Sequence, residues 1–337
     1  MAFLKTIDEI KKYAGITNAT WFDSLKPDIE DVESLHIVPI LGNTLYSSLH
    51  ASYIANSITA NSLNEKLLFK IQKALVNIAL EQYSSLAQLD FSDAGIRQIE
   101  DATFKSPKQW QIDDLREYFF MKGYRAKDEL LEFLEDNKAT FTTWASDSKA
   151  YTINKQFIVS DTKTFQTFYD IKNSRTTFIA LQPTMKIVEM MHIMPNISPA
   201  LYTRIKTQIA ANALTQDIKD ILEMLQLAIT QYTVASAIDN KIIEISTDGV
   251  YSRSQRATMD SGREKAKADI ADRKTAQTAC LQIANATMEN LRTFLNSAAS
   301  GTVYPEYFAS PLYVAPPDTG AVNAIYENEA TDKVYYA

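Results

Sequence analysis

The stretch HIVPILGNTLY occupies positions 36–46, and HIMPNISPALY occupies positions 192–202. His, Ile, Pro, Leu and Tyr stand at the same places in both. The pairs His36/His192, Ile37/Ile193, Pro39/Pro195, Leu45/Leu201 and Tyr46/Tyr202 therefore share one offset. Outward from these phrases, the same offset aligns Thr6 with Thr162 and Tyr13 with Tyr169. It also aligns Thr20, Phe22, Leu25 and Pro27 with Thr176, Phe178, Leu181 and Pro183, and Val32-Glu33 with Val188-Glu189. Identity sustained without a gap marks an internal duplication.

Beyond Tyr46 and Tyr202 the register shifts, because the first copy has the longer connector, SSLHASYIANSITANS. A long amphipathic stretch follows in each copy. In the first, Leu67, Ile71, Leu75 and Ile78 recur at helical spacing; in the second, Ile218, Ile221, Leu222, Leu225 and Ile229 do so. The Gln-Tyr pairs Gln82-Tyr83 and Gln231-Tyr232 bring the two into register again. Short alternating runs then flank Ser-Asp-Ala-Gly and Thr-Asp-Gly. Glycine admits positive φ and Asp stabilises a turn, so these runs predict a β-hairpin around Gly95 and another around Gly249, with an irregular loop as the alternative. A second long helix closes each copy, Phe133-Leu134 matching Phe294-Leu295. Pro39 and Pro195 are expected to open or break a helix ahead of the Leu-Tyr pairs.

The chain has 337 residues, enough for two domains, and 46% of them are hydrophobic. Its net charge of −7 argues against a surface that grips nucleic acid, yet suits a wall past which DNA slides. One cysteine, Cys280, excludes an intrachain disulfide and fits a reducing cytosol. The charged amphipathic start lacks the apolar core of a signal peptide, and no run of apolar residues predicts a membrane span.

The search for chemistry finds no catalytic, cofactor-binding or metal-ligating set. Neither GxGxxG nor a P-loop occurs among only eight glycines, and no GxSxG elbow is present. The three histidines, His36, His50 and His192, lack metal-ligand spacing. His36 and His192 read as structural residues duplicated with the fold. Asp113-Asp114, Glu132 and Asp136 read as solvated helix faces. No enzyme is expected, and no cofactor.

From Ser300 the character changes. Pro305, Pro311, Pro316 and Pro317 prevent a continuous helix, while Tyr304, Tyr307, Phe308, Tyr313, Tyr326, Tyr335 and Tyr336 supply apolar contact area. Such a segment needs a surface, either its own domains or a neighbouring subunit. The expected fold is thus mainly α. Two tandem duplicated helical-bundle domains, residues 1–149 and 150–299, each carry a short β-hairpin, and residues 300–337 form an extended aromatic arm. The arm aromatics are candidate partner-binding residues. The hairpin tips, Asp93, Gly95 and Arg97 with Asp248, Gly249 and Arg253, are candidates to face a channel or partner.

VPILGNTLYSSL after an N-terminal FLKTIDEIKKY resembles the start of head-tail connector (adaptor) proteins of tailed bacteriophages. It is similar in particular to an uncharacterised family encoded beside capsid and portal genes in phages and prophages of Bacteroidota, crAss-like phages among them. Thr6–Tyr13, Ile37–Tyr46, Leu63–Leu89, Ser92–Gly95 and Ile112–Leu134 match that pattern. The second copy departs from it at Asn196-Ile197-Ser198, where Leu-Gly is missing. The resemblance implies a structural virion protein at the neck, assembled in the host cytoplasm. It implies a ring of about twelve subunits between portal and tail proteins, through which genomic DNA passes without sequence-specific binding and with no membrane involved. The alternative is a non-ring phage binding module, a scaffolding, cargo or regulatory factor whose tail folds back on its own body.

Overall fold

The computed structural model describes residues 2–15, 22–84, 86–87, 89–92, 95–98, 108–147, 156–239, 243–246, 249–252 and 270–316. The fold is mainly helical. The first half runs α1 (Ile7–Lys11), α2 (Phe22–Val32), a π-turn π1 (Glu33–Ile37), α3 (Val38–Leu41), α4 (Asn43–Ile54) and α5 (Leu63–Tyr83). Strands β1 (Leu89–Ser92) and β2 (Gly95–Gln98), then α6 (Gln109–Asp136) and α7 (Thr142–Asp147), complete it. The second half repeats this order: α8 (Thr162–Phe168), α9 (Arg175–Val188), π2 (Glu189–Ile193), α10 (Met194–Ile197), α11 (Pro199–Ala210) and α12 (Gln216–Asp239). Strands β3 (Ile243–Ser246) and β4 (Gly249–Ser252), α13 (Ile270–Ala298) and α14 (Pro305–Phe308) follow. In each half the two strands pair antiparallel, Leu89 opposite Gln98 and Ile243 opposite Ser252.

Two hydrophobic clusters fill the two halves, one around α5 and α6, the other around α12 and α13. Helix α5 starts because Ser62 Oγ accepts from Glu65 N at 3.2 Å, while the Glu65 carboxylate accepts from Asn61 N at 2.6 Å. It then buries Leu67, Ile71, Ala74, Leu75 and Ile78. Full burial of one such side chain contributes about 1.5–3 kcal/mol, so this stripe, not helix propensity, fixes the α5–α6 pair. Gly123 on α6 lies where a Cβ would stand 2.7 Å from Ile78 Cγ1, so the two helices approach closely there. By composition, Gln216–Ile238 within α12 is long and apolar enough to cross a bilayer, a span the sequence reading did not find. Yet 67% of that window is buried inside the protein, as suits a core helix.

The quoted phrases occupy the sharp bend of each half. The π-turns coincide in the two copies, and Pro39 and Pro195 sit in the first turns of α3 and α10. The bend itself is a single left-handed residue: Gly42 at φ 75°, ψ 156° and Ser198 at φ 71°, ψ 142°. The departure of the second phrase from Leu-Gly thus leaves the backbone path intact. Serine adopts a conformation that favours glycine, while its Oγ caps α11 by accepting from Leu201 N at 3.3 Å.

Two expectations change. Thr6 caps α1, but α8 is capped by Asp161, whose carboxylate accepts from Thr164 N at 2.8 Å. The identity of Thr6 with Thr162 is therefore one residue out of structural register. More consequentially, residues 300–316 are not an extended arm but close the second half. Tyr304 and Tyr307 are 1% and 0% exposed and stand three apart, as the buried Phe141 and Trp144 do in the first half. Phe141 lies against Phe133, and Tyr304 against Phe294. Helix α7 packs on α4 and α14 on α11. The apolar contact this segment needs comes from its own repeat.

Candidate functional site

Each π-turn points a glutamate inward. Glu33 accepts from Phe3 N at 3.0 Å and from the Tyr46 hydroxyl at 2.7 Å. Glu189 accepts from Ile158 N at 2.7 Å, the Tyr202 hydroxyl at 2.8 Å and Lys206 Nζ at 2.7 Å. Both carboxylates are buried, so each ties the N-terminal segment of its repeat to the helix after the bend. Burial pushes the Glu33 carboxyl above its usual range, opposed by Tyr46, Phe3 and the nearby His50. His50 stands at the sequence position of Lys206, so a titratable cation in one copy replaces a permanent one in the other. These are structural locks: every acceptor is occupied by the protein.

The duplicated histidines differ. His36 Nδ1 lies 3.5 Å from Lys127 Nζ, and burial, aided by that cation, pushes its pKa down to about 4. Burial likewise lowers Lys127 to about 8, against the pull of Asp128. His192 stacks on Tyr232 with ring centroids 4.6 Å apart. Among the described residues no group of three or more His, Cys, Asp or Glu side chains could hold a metal.

The two repeats meet where α6 passes the start of α9. Arg175, 3% exposed at its side chain, reaches Glu132 through Nη2 and Glu135 through Nε, both at 3.0 Å. One turn earlier on α6, Asp128 accepts from Thr176 N at 2.9 Å, at the positive end of the α9 dipole. Ile179 packs against the first core. Burial pushes Asp128 and Glu135 upward, opposed by Thr176 and Ser174 at the former and Arg175 at the latter. Glu132, read from the sequence as solvated, is therefore half of a fork that joins the copies. Its signal was present: Asp128, Glu132 and Glu135 share one helix face away from the core stripe.

Exposed apolar side chains mark other surfaces. Trp110, Leu115, Tyr118 and Met121 lie open on α6. Ile187, Met190 and Met191 lie open at the end of α9 and in π2, and Leu35, at the position of Met191, is open in π1. Helical periodicity did not single these out, because it does not say which apolar stripe a neighbour covers.

The expected site residues scatter. Tyr304 and Tyr307 belong to the core and offer no partner surface. Tyr304 donates its hydroxyl to the Asp217 carbonyl, and Tyr307 donates to Asn296 Oδ1 at 3.1 Å. Phe308, 42% exposed, and half-buried Tyr313 remain near the surface with ring centroids 4.8 Å apart. Gly95 and Arg97 lie in β2 and Gly249 in β4. Asp93, Asp248, Arg253, Tyr326, Tyr335 and Tyr336 lie outside the described residues.

No curated protein and no solved structure matches the chain. One family model matches it twice, over residues 37–153 and 193–317, one match on each repeat. The second match runs past Ser300 to the residues after α14, in keeping with the place of that segment in the second core. Together these spans cover most of the sequence, and the chain belongs to DUF6712, a family of unknown function.

Proposed function

We propose that this chain is a structural ring protein of a tailed-phage virion. It sits between portal and tail and continues the DNA channel. The observation that carries the proposal is the junction of unlike faces, α6 of one repeat against α9 of the next. Units joined through unlike faces close into rings when the rotation between them permits. The resemblance of VPILGNTLYSSL to connector proteins supplies the virion context. In this reading the paired hairpins around Gly95 and Gly249 face the channel or an adjacent ring. The negative net charge keeps passing DNA from adhering. Exposed Phe308, with the sequence after Pro316, meets portal or tail proteins. Catalysis has no part in it.

A second reading draws on a different observation. Tyr304 and Tyr307 pack into their own repeat, which favours a non-ring binding module whose tail is folded back. Native mass spectrometry of the purified protein, alone and mixed with the portal protein of the same phage, separates the two. A closed ring, alone or on portal, is the expected result. A monomer that ignores portal overturns the ring and leaves the module.

A further inference from the structure

We propose that the outward face of α13 receives the start of α2 from a second copy of this chain, repeating between chains the contact that α6 and α9 make within one. The inference rests on the self-association in the ring reading and names the surface that would carry it.

The two long closing helices superpose by sequence. Phe119, Ala126, Leu130 and Leu134 of α6 stand where Cys280, Thr287, Leu291 and Leu295 stand on α13, and all eight are buried. The neighbouring face differs between the copies. On α6 it carries Phe120 and Leu131, 4% and 3% exposed, with Asp128 between them at the start of α9. At the same positions on α13 stand Leu281, 36% exposed, exposed Arg292, and exposed Glu289 in the place of Asp128. A face covered in the first repeat is open in the second.

The complementary half is open at the other end of the chain. Helix α2 corresponds to α9, Phe22 matching Phe178, and its exposed side chains include Asp23 and Lys26, linked at 2.6 Å. An acidic Glu289 set against the start of a helix bearing Lys26 repeats the polarity of Asp128 against α9. Arg175 has no counterpart there, since its sequence position in the first copy is Ala19. The contact between chains is accordingly weaker than the one within a chain. Because the faces are unlike, each chain offers one of each, and association proceeds head to tail.

The test is a pairwise cross-link in a Cys280→Ala background. One preparation carries Asp23→Cys, another Glu289→Cys; both positions are exposed. The two are mixed, alone and with portal protein, and treated with a short bis-maleimide. The expected product is a dimer holding one chain of each kind, absent when either preparation is treated by itself. Loss of that mixed product, or equal cross-linking within one preparation, overturns the proposal. If native mass spectrometry shows a closed ring while the mixed product is missing, another face builds the ring: this inference falls and the ring reading stands. A monomer with and without portal, and no mixed product, removes both.

Discussion

The Tyr46 hydroxyl lies 2.7 Å from Glu33 Oε1, and the two belong to opposite sides of the bend that the phrase HIVPILGNTLY makes. The tyrosine that ends the phrase thus clamps the glutamate that precedes it. Tyr202 does the same to Glu189 at 2.8 Å. A hydrogen bond to a buried charged group contributes about 1.5–3 kcal/mol. Tyr46→Phe is expected to destabilise the chain by about that amount in urea unfolding. Tyr202→Phe is expected to cost less, because Lys206 still reaches Glu189. An equal loss in both variants would contradict a role for Lys206.

Arg175 holds Glu132 and Glu135, and its removal leaves two carboxylates without their cation. Glu132 is 43% exposed at its side chain and Glu135 26%, so solvent screens part of the loss. Arg175→Ala should cost about 2 kcal/mol, below the usual figure for breaking a fully buried pair. Arg175→Lys should recover only part of it, since an ammonium cannot span both carboxylates as the guanidinium does. Chemical denaturation followed by circular dichroism measures both.

Acid sensitivity should be traceable to His36. Its folded-state pKa is lowered from 6.5 to about 4, first by burial and then by Lys127. A histidine shifted downward favours the folded state while neutral. That contribution is present above about 6.5 and is lost as pH falls toward about 4. The His36→Gln variant should therefore lose less stability than the parent across this window. Parallel pH profiles for the two proteins would remove His36 from the account. Glu33, raised by burial, acts in the opposite sense, which is why the comparison must be between variants.

Tyr307 should behave as a core residue. Tyr307→Ala is expected to cost about 3–5 kcal/mol, as for other large buried aromatics. Tyr307→Phe should cost about 1 kcal/mol through the bond to Asn296. Thermal unfolding of the isolated chain reads both. Unchanged stability in Tyr307→Ala would return this residue to the role of a free arm.

The duplication, the helical character and the bend were legible because Pro39, Tyr46 and Glu33 have identical partners in the second copy. The closing segment was not, because its two versions share spacing but not residues: Phe141 and Trp144 in one, Tyr304 and Tyr307 in the other. Prolines and aromatics without a period resemble a free arm when nothing shows the groove they fill. The π-turns were equally hidden, since one additional residue in a helical turn leaves little trace in an apolar pattern. The junction at Arg175 escaped notice because charges on a helix face ordinarily meet water, and only tertiary structure shows where a second unit displaces it.

Ser198 at the left-handed corner carries a consequence for tracing distant relatives. Glycine is replaceable there as long as the glutamate and the tyrosine remain thirteen residues apart, Glu33 to Tyr46 and Glu189 to Tyr202. A sequence profile built on that acid-to-phenol interval would retain chains that a Leu-Gly signature discards. It would find each bend by the bond that holds it rather than by the residue that turns it.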